Sequence, residues 1–156
     1  MNYLDIQTIF VSVGQPSEEQ FQRWVDTALD DETQDTEVVI RIVDEQESAG
    51  LNQQYRHKHG ATNILSFPFE VPDIAEIECD LLGDLVICAP VLEREALEQG
   101  KTLTDHWAHI VVHGVLHLLG YDHINDDDAE IMEHKEAIIL QKLNINNPYT
   151  GKQNHE

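Results

Sequence analysis

The stretch from residue 107 to residue 119, WAHIVVHGVLHLL, limits the possible folds of this chain more than any other segment. An α-helix advances about 100° per residue, and at that spacing the apolar side chains of this stretch cover most of the helix circumference. A helix of this kind is largely buried against other elements. Because buried imidazoles need polar partners, we expect a polar site along one face of it. That face is a stripe of four histidines: His106, His109, His113 and His117.

The stripe continues into a motif, since residues 113–123 read H-G-V-L-H-L-L-G-Y-D-H. His113 and His117 are one helical turn apart, the separation that lets two imidazoles reach one metal ion. Gly120 can adopt the left-handed conformation that ends a helix, so the following turn can bring His123 round as a third nitrogen ligand. Three protein ligands leave a fourth tetrahedral position open, as in catalytic zinc sites. We therefore predict one Zn²⁺ per chain on His113, His117 and His123.

Two further histidines and an aspartate flank this motif. We expect His106 and His109 to lie at the surface or to support the ligands through hydrogen bonds, rather than to bind the metal. Asp122 either orients a ligand histidine or caps the turn, and the sequence leaves both possibilities open. The alternative for the motif itself is a group of core histidines hydrogen-bonded to the backbone, which the spacing of three histidines disfavours.

Hydrophobic periodicity and turn residues predict an α+β fold with a mixed sheet of about four strands and helices packed against it. Pro68 should place the third strand at a sheet edge or end its pairing, and Gly83 should allow a bulge or a close backbone approach in the fourth. The length of 156 residues fits one domain at residues 1–150 with a frayed tail at 151–156. The expected N-caps include Ser17, Asp44 and either Thr102 or Thr104. The expected strands are 5–13, 37–43, 63–69 and 81–88, and the expected helices are 17–29, 44–55, 90–100, 102–119 and 126–143.

The chain is strongly acidic, with a formal net charge of −21 at pH 7. Because nucleic-acid affinity depends on neutralising phosphates, this charge argues against a broad nucleic-acid surface but not against one local basic cleft. No stretch is apolar and long enough to span a bilayer, and residues 1–13 do not have the pattern of a signal peptide. Cys79 and Cys88 do not form a disulfide framework. We expect a cytoplasmic protein with two reduced thiols and no membrane contact.

The motif spacing matches the zinc-protease pattern H-E-x-x-H-x-x-G-x-x-H, but Gly114 occupies the position of the glutamate. Proteases of that type use the carboxylate as a general base, which a glycine cannot replace. The chain instead closely resembles the YbeY family of bacterial endoribonucleases, the rRNA maturation factors. The resemblance rests on the whole motif at 113–123, on ATNILSFPF at 61–69, on LGDLVI at 82–87 and on WAH at 107–109.

This resemblance implies a zinc-dependent endoribonuclease that cuts single-stranded RNA. The implied roles are maturation of the 3′ end of 16S rRNA and ribosome quality control, with the ribosomal small subunit as the partner. The resemblance also implies that zinc binds the same three histidines, and that an arginine matching Arg56 is catalytic.

Arg56 also has a chemical argument of its own. It begins the most basic stretch of the chain, residues 56–59, and a guanidinium can meet the charge that builds on phosphate oxygens with two hydrogen bonds. The alternative is a surface charge favoured by the negative end of the preceding helix. Asn63, Ser66 and Asp84 are polar residues in strand-like segments, and each either lies at the cleft or satisfies local structure.

Two other functions stay open. The protease-like spacing leaves a metallohydrolase acting on peptides or small molecules, which Gly114 weakens. The third possibility is a ribosome-assembly factor with a structural zinc, whose acidic surface would contact basic ribosomal proteins or a ribosome-associated GTPase. In that case a change at Arg56 would impair binding rather than turnover.

Overall fold

The computed structural model describes residues 2–30, 35–69, 81–121 and 125–145, and this part of the chain has the predicted α+β architecture. The strands are β1 (Asn2–Thr8), β2 (Thr36–Val43), β3 (Ile64–Pro68) and β4 (Leu81–Cys88). The helices are α1 (Glu18–Ala28), α2 (Glu45–Arg56), α3 (Ala89–Gln99), α4 (Leu103–Leu118) and α5 (Asp126–Lys142). The predicted tail at 151–156 lies outside the described residues, as do Asp122, His123 and Cys79.

The strands form one mixed sheet in the order β1-β2-β4-β3. β1 and β4 each run parallel to β2, and β3 runs antiparallel to β4 at the sheet edge, as Pro68 predicted. The register of β2 against β4 shifts opposite Gly83. A Cβ atom at Gly83 would lie only 2.5 Å from the carbonyl oxygen of Phe67, so both expectations for this glycine are confirmed.

Helix α4 lies between α1 and α5 and packs on β3 and β4, which confirms the prediction of a largely buried helix. Trp107, Val111 and Val115 are fully buried in the larger of two hydrophobic clusters. Trp107 also makes an edge-to-face contact with Phe21 of α1, with 5.7 Å between ring centroids, a geometry worth about 0.5–1.5 kcal/mol beyond area burial. The apolar sides of α4 therefore fix its position relative to the sheet.

A smaller cluster lies around Leu65 and Cys88, where α2 and the start of α3 pack. Cys88 is a free buried thiol, as expected, and burial raises its pKa. Leu51 of α2 and Phe67 of β3 are half-buried at the margin of this cluster. The end of α2 is therefore held beside the edge strand.

Side-chain caps set the starts of four helices, α1, α2, α4 and α5. Ser17 and Gln20 form the predicted capping box, and Asp44 accepts a hydrogen bond from the backbone N–H of Glu47 at 2.9 Å. Of the two candidate threonines, Thr102 caps α4. None of the described helices is both long and apolar enough to cross a membrane.

The first strand lies earlier than predicted, because it ends at Thr8 rather than at residue 13. Its partner β2 ends at Val43, and the backbone N–H groups of Ile9 and Phe10 both donate to the carbonyl oxygen of Ile42. Beyond Val43, β2 has no further residues with which β1 could form sheet hydrogen bonds, so β1 ends there. The apolar alternation that suggested a longer strand instead places Val13 in solvent, 94% exposed.

Candidate active site

The end of α4 is built by a glycine turn. Gly120 has a φ of +102°, its N–H donates to the carbonyl oxygen of His117 at 3.0 Å, and the N–H of Tyr121 donates to that of Leu116 at 3.0 Å. This pair of hydrogen bonds is a Schellman motif, which reverses the chain direction after a helix. The turn predicted at Gly120 is therefore confirmed, while His123 beyond it lies outside the described residues.

Two of the three predicted ligands meet on the half-buried face of α4. The Nε2 atoms of His113 and His117 lie 3.1 Å apart. Two imidazoles bound to one tetrahedral zinc, each about 2.0–2.1 Å from the ion, would have their nitrogens about 3.3 Å apart. The two rings therefore fit a shared metal ion with little adjustment.

A buried carboxylate on α5 lies directly behind this pair. Glu136 is 0% exposed, and its two oxygens accept hydrogen bonds from Nδ1 of His113 and, at 3.3 Å, from Nε2 of His109. Donation through Nδ1 leaves Nε2 of His113 with its lone pair, so the carboxylate selects the tautomer that can bind a metal. Ligand atoms of His109, His113 and Glu136 also lie within 4.8 Å of one another, a cluster that could itself hold a metal ion.

The polar network extends beyond Glu136 along the histidine stripe. Nζ of Lys101 lies 3.4 Å from Nδ1 of His106 and 3.5 Å from Nδ1 of His109. Nε2 of His106 lies 2.9 Å from a carboxylate oxygen of Glu95. Each of these two imidazoles can thus accept from the lysine and donate to a carboxylate. His106 and His109 therefore take the supporting role that was one of the two predictions for them. The other prediction, a position at the surface, is wrong for His106 because its side chain is buried.

Burial and hydrogen bonding oppose each other in this network. Burial lowers the pKa of His109 and outweighs its hydrogen bond to Glu136, so its imidazole is neutral near pH 7. Burial likewise lowers the pKa of Lys101 against the attraction of nearby carboxylates. Burial alone would raise the pKa of Glu95, but the hydrogen bonds from His106 and Asn63 outweigh it and hold that pKa below its ordinary value.

A cleft of about 580 Å³ joins the histidines to the basic stretch of the chain. It is lined by Tyr55 and Arg56 at the end of α2, by residues 62–67 and by His113 and His117 of α4. The structure therefore brings Arg56 to the same cavity as two predicted ligands, although Arg56 is far from both of them in sequence.

The three uncertain polar residues have different outcomes. Asn63 lines the cleft and donates to Glu95 at 3.3 Å, so it serves both the site and local structure. Ser66 also lines the cleft, and its buried hydroxyl has no hydrogen-bond partner among the described residues. Asp84 is exposed on β4, in register with Phe67.

Two buried polar residues of α2 hold the loop that follows Arg56. The side-chain amide of Asn52 donates to the carbonyl oxygen of Gly60 at 2.9 Å. The hydroxyl of Ser48 donates to the carbonyl oxygen of Thr62 at 3.0 Å and accepts from its N–H. His57, with a φ of +56°, ends the helix and starts this loop. The position of Arg56 at the cleft therefore follows from contacts within α2 and its own loop.

Gly114 faces the sheet, away from any role as a general base. A Cβ atom at this position would lie 2.5 Å from Cδ1 of Ile64 and 2.8 Å from Cδ2 of Leu85, both buried. The glycine lets α4 approach β3 and β4 closely, and a glutamate there would have to bury its carboxylate among apolar groups. The protease-like chemistry suggested by the spacing thus lacks both the residue and the space for it.

Sequence reasoning missed Glu136, Lys101 and Glu95. A signal for Glu136 was present, because it occupies a core position in the apolar stripe of α5, four residues after Met132 and three before Ile139. An acidic residue at a core position needs a partner. Glu95 lies within α3 and Lys101 lies in the turn after it, and their sequence context does not distinguish them from surface charges.

Comparison with known proteins finds relatives that match most of the chain. A family model described as Endoribonuclease YbeY matches residues 6–144. A protein of that name from Colwellia psychrerythraea is 54% identical over 150 residues, covering 94% of this chain and 96% of the relative. One from Methylococcus capsulatus is 60% identical over 134 residues, covering 86% and 87%. A solution structure from Thermotoga maritima aligns with a TM-score of 0.58 at 24% identity over 92% of each chain, which supports the fold.

Proposed function

The chain belongs to the endoribonuclease YbeY family, and we propose that it is a zinc-dependent endoribonuclease that cuts single-stranded RNA. In this proposal residues 1–150 form one ribonuclease domain, His113, His117 and His123 bind one Zn²⁺, and Arg56 is catalytic. The substrate is precursor 16S rRNA near its 3′ end, on or released from the small ribosomal subunit in the cytoplasm. The observation that carries the proposal is the single cleft that Arg56 shares with His113 and His117.

The donor set supports zinc as the ion. Imidazole nitrogen suits Zn²⁺, and the 3.1 Å between the two Nε2 atoms is close to a tetrahedral edge. Glu136 holds the His113 ring from behind, as carboxylates do in many histidine–zinc sites. His123 completes the set by its place in the motif, three residues after Gly120. Zinc, when bound, supplies Lewis-acid activation of water and of a phosphoryl oxygen.

The role of Arg56 follows from its charge and its position. Cleavage of a phosphodiester builds negative charge on the non-bridging oxygens, and a guanidinium binds two such oxygens at once. Arg56 lines the same cleft as His113 and His117, and in this proposal a phosphate held in the cleft is contacted from both sides of the site. The same residue also orients the scissile group before reaction.

The acidic remainder of the chain restricts where RNA can bind. With a net charge of −21, the protein repels polyanions over most of its surface. Residues 56–59 supply a local positive charge beside the cleft, which attracts the backbone to this one region. A basic region as small as residues 56–59 suits a short unpaired RNA segment better than a long duplex.

The test is cleavage of a labelled RNA that spans the 3′ end of 16S rRNA, supplied single-stranded or annealed to its complement. We expect the zinc-loaded full-length chain to cut the unpaired form, and His117→Ala protein prepared in parallel to leave it intact. Equal cutting by both proteins would mean a contaminating nuclease and would refute the proposal. Tight binding without cutting by the zinc-loaded wild type would instead favour the assembly-factor role.

The chemical groups at the two product ends identify the nucleophile that attacks the phosphate. A 2′,3′-cyclic phosphate on the upstream fragment means attack by the ribose 2′-hydroxyl. A 3′-hydroxyl on the upstream fragment with a 5′-phosphate on the downstream fragment means attack by water. Mass spectrometry of the two fragments distinguishes these results in one measurement.

A further inference from the structure

An aromatic pair lies at the cleft beside Arg56 and has no role in the mechanism described above. The rings of Tyr55 and Phe67 meet edge to face, with 5.2 Å between centroids and 71° between planes. Both residues line the cleft, one from the end of α2 and the other from the edge strand β3. They therefore belong to the same cavity as His113 and His117.

We propose that Tyr55, supported by Phe67, forms a stacking surface for one unpaired nucleobase of the RNA substrate. This inference rests on the proposed function, and it names how that site would recognise a single strand. Every nucleobase has a π-face, whereas a base within a duplex has both faces covered by its neighbours. A stacking surface at the cleft therefore selects unpaired RNA without reading its sequence.

The exposure of the two rings supports this assignment. Tyr55 is 56% exposed, although leaving a large aromatic side chain in water normally costs free energy. Phe67 is half-buried against the cluster that contains Leu65 and Cys88. Phe67 is thus anchored in the fold and holds the more exposed ring of Tyr55 in place, so little side-chain entropy is lost when a base stacks on it.

The charge of the chain makes such a contact necessary for affinity. Phosphate neutralisation supplies much of the affinity of ordinary nucleic-acid-binding proteins, and this chain has a net charge of −21. Beside the cleft, Arg56 and Lys58 are the permanently cationic side chains of the basic stretch 56–59. Stacking adds affinity that does not depend on charge, and the adjacent guanidinium of Arg56 can hold the phosphate of the same nucleotide.

The test uses single-turnover cleavage by zinc-loaded full-length protein in excess over a fluorescent single-stranded RNA. The protein concentration at half-maximal rate reports affinity, and the maximal rate reports chemistry. We expect Tyr55→Ala to raise the half-maximal concentration about tenfold, with a small change in the maximal rate. Tyr55→Phe and Tyr55→Trp should retain wild-type affinity. The matched control is Tyr3→Ala, since Tyr3 is 53% exposed on β1 at the opposite sheet edge.

Two further comparisons separate stacking from structural roles. Tyr55→Leu keeps an apolar cover on Phe67 but has no π-face, so it should lose affinity while thermal unfolding stays near that of wild type. RNAs with one abasic position, scanned along the strand, should include one that weakens wild-type binding but not Tyr55→Ala binding. The tenfold loss should be the same at low and high salt, whereas loss of a phosphate contact reduces the salt dependence.

The outcomes distinguish this inference from the proposed function. Wild-type affinity in Tyr55→Ala or in Tyr55→Leu would overturn the stacking role while leaving the nuclease intact. Equal abasic penalties in wild type and Tyr55→Ala at every position would overturn it as well. If the wild-type chain leaves the RNA uncut, the proposed function fails, and fluorescence anisotropy on the same uncut RNA still compares the variants for stacking.

Discussion

The Nε2 atoms of His113 and His117 lie 3.1 Å apart, on the face of α4 that lines the cleft. The other ring nitrogen of His113 donates to a carboxylate that is completely buried. The pair is therefore arranged to share one ligand, because the hydrogen bond to the carboxylate fixes the tautomer of His113 and His117 lies one turn later on the same helix. Substitutions at three residues of the cleft and its support, alkylation of one buried thiol and substitution of one glycine of α4 test this arrangement and the core behind it.

Replacing His117 by alanine removes one proposed ligand and leaves the apolar sides of α4 unchanged. We expect the purified variant to lose stoichiometric zinc, measured by plasma mass spectrometry, and to lose RNA cleavage with it. The matched control is His134→Ala on α5, since His134 is exposed and should keep both. Full zinc content in His117→Ala protein would mean that the metal binds elsewhere, for instance in the cluster of His109, His113 and Glu136.

Replacing Glu136 by glutamine tests the support behind His113. The amide keeps the size of the side chain but replaces one of its two accepting oxygens by a donor, so His113 and His109 can no longer both donate to it and the tautomer of His113 is held less firmly. We expect zinc affinity to fall about 10–100-fold, measured by competition with a chromophoric chelator. Glu130→Gln, at an exposed position of the same helix, is the control and should bind zinc as wild type does.

A stability measurement belongs with this variant, since Glu136 is buried. Thermal unfolding with a chelator present reports the fold without the metal. Zinc affinity that is unchanged in Glu136→Gln, in protein that unfolds normally, would contradict the assigned support.

Replacing Arg56 by lysine keeps the charge and removes the two-pronged hydrogen bonding. We expect the cleavage rate at saturating RNA to fall about 100-fold for Arg56→Ala and by less for Arg56→Lys, with zinc content unchanged in both. Arg94→Ala is the matched control, because Arg94 forms an exposed ion pair with Glu45 at 2.7 Å, on α3. A weaker binding constant with an unchanged rate would instead give Arg56 a role in RNA binding alone.

Much of this site could be predicted because its signals are local. The spacing of His113 and His117 is a property of one helix, and Gly120 ends that helix through backbone conformation alone. The basic character of Arg56 and its loop can also be read along the chain. The strand order is different, since the insertion of β4 between β2 and β3 depends on long-range pairing that no short segment specifies.

The parts that could not be predicted are contacts between elements distant in sequence. Glu136 reaches His113 across the packing of α5 on α4, and Tyr55 meets Phe67 only because β3 returns beside the end of α2. The early end of β1 has the same origin, because the length of β2 limits it rather than its own apolar pattern. Propensity describes a segment, whereas these features depend on which neighbour it meets.

The thiol of Cys88 should resist alkylation in the native protein. It is fully buried and burial raises its pKa, so at pH 7 both its thiolate fraction and its access to reagents are small. We expect iodoacetamide to modify the peptide containing Cys88 slowly in buffer and rapidly in urea, followed by mass spectrometry. Equal rates in the two conditions would mean that this part of the core opens freely.

Replacing Gly114 by glutamate would restore the protease pattern in sequence, and we expect it to destabilise the fold rather than to create a peptidase. The new side chain would start 2.5 Å from Cδ1 of Ile64 and would bury its carboxylate against Leu85, at a cost of more than about 3 kcal/mol. Gly114→Ala should be milder, since only side-chain ends must move. Urea unfolding measures the free energy of unfolding of both variants.

Gly50→Glu is the control, because Gly50 lies in α2 with nothing within 4 Å of an added Cβ. A helix-favouring residue there should stabilise the protein by about 0.5–1 kcal/mol. A Gly114→Glu protein as stable as Gly50→Glu would show that α4 does not depend on this close approach to the sheet.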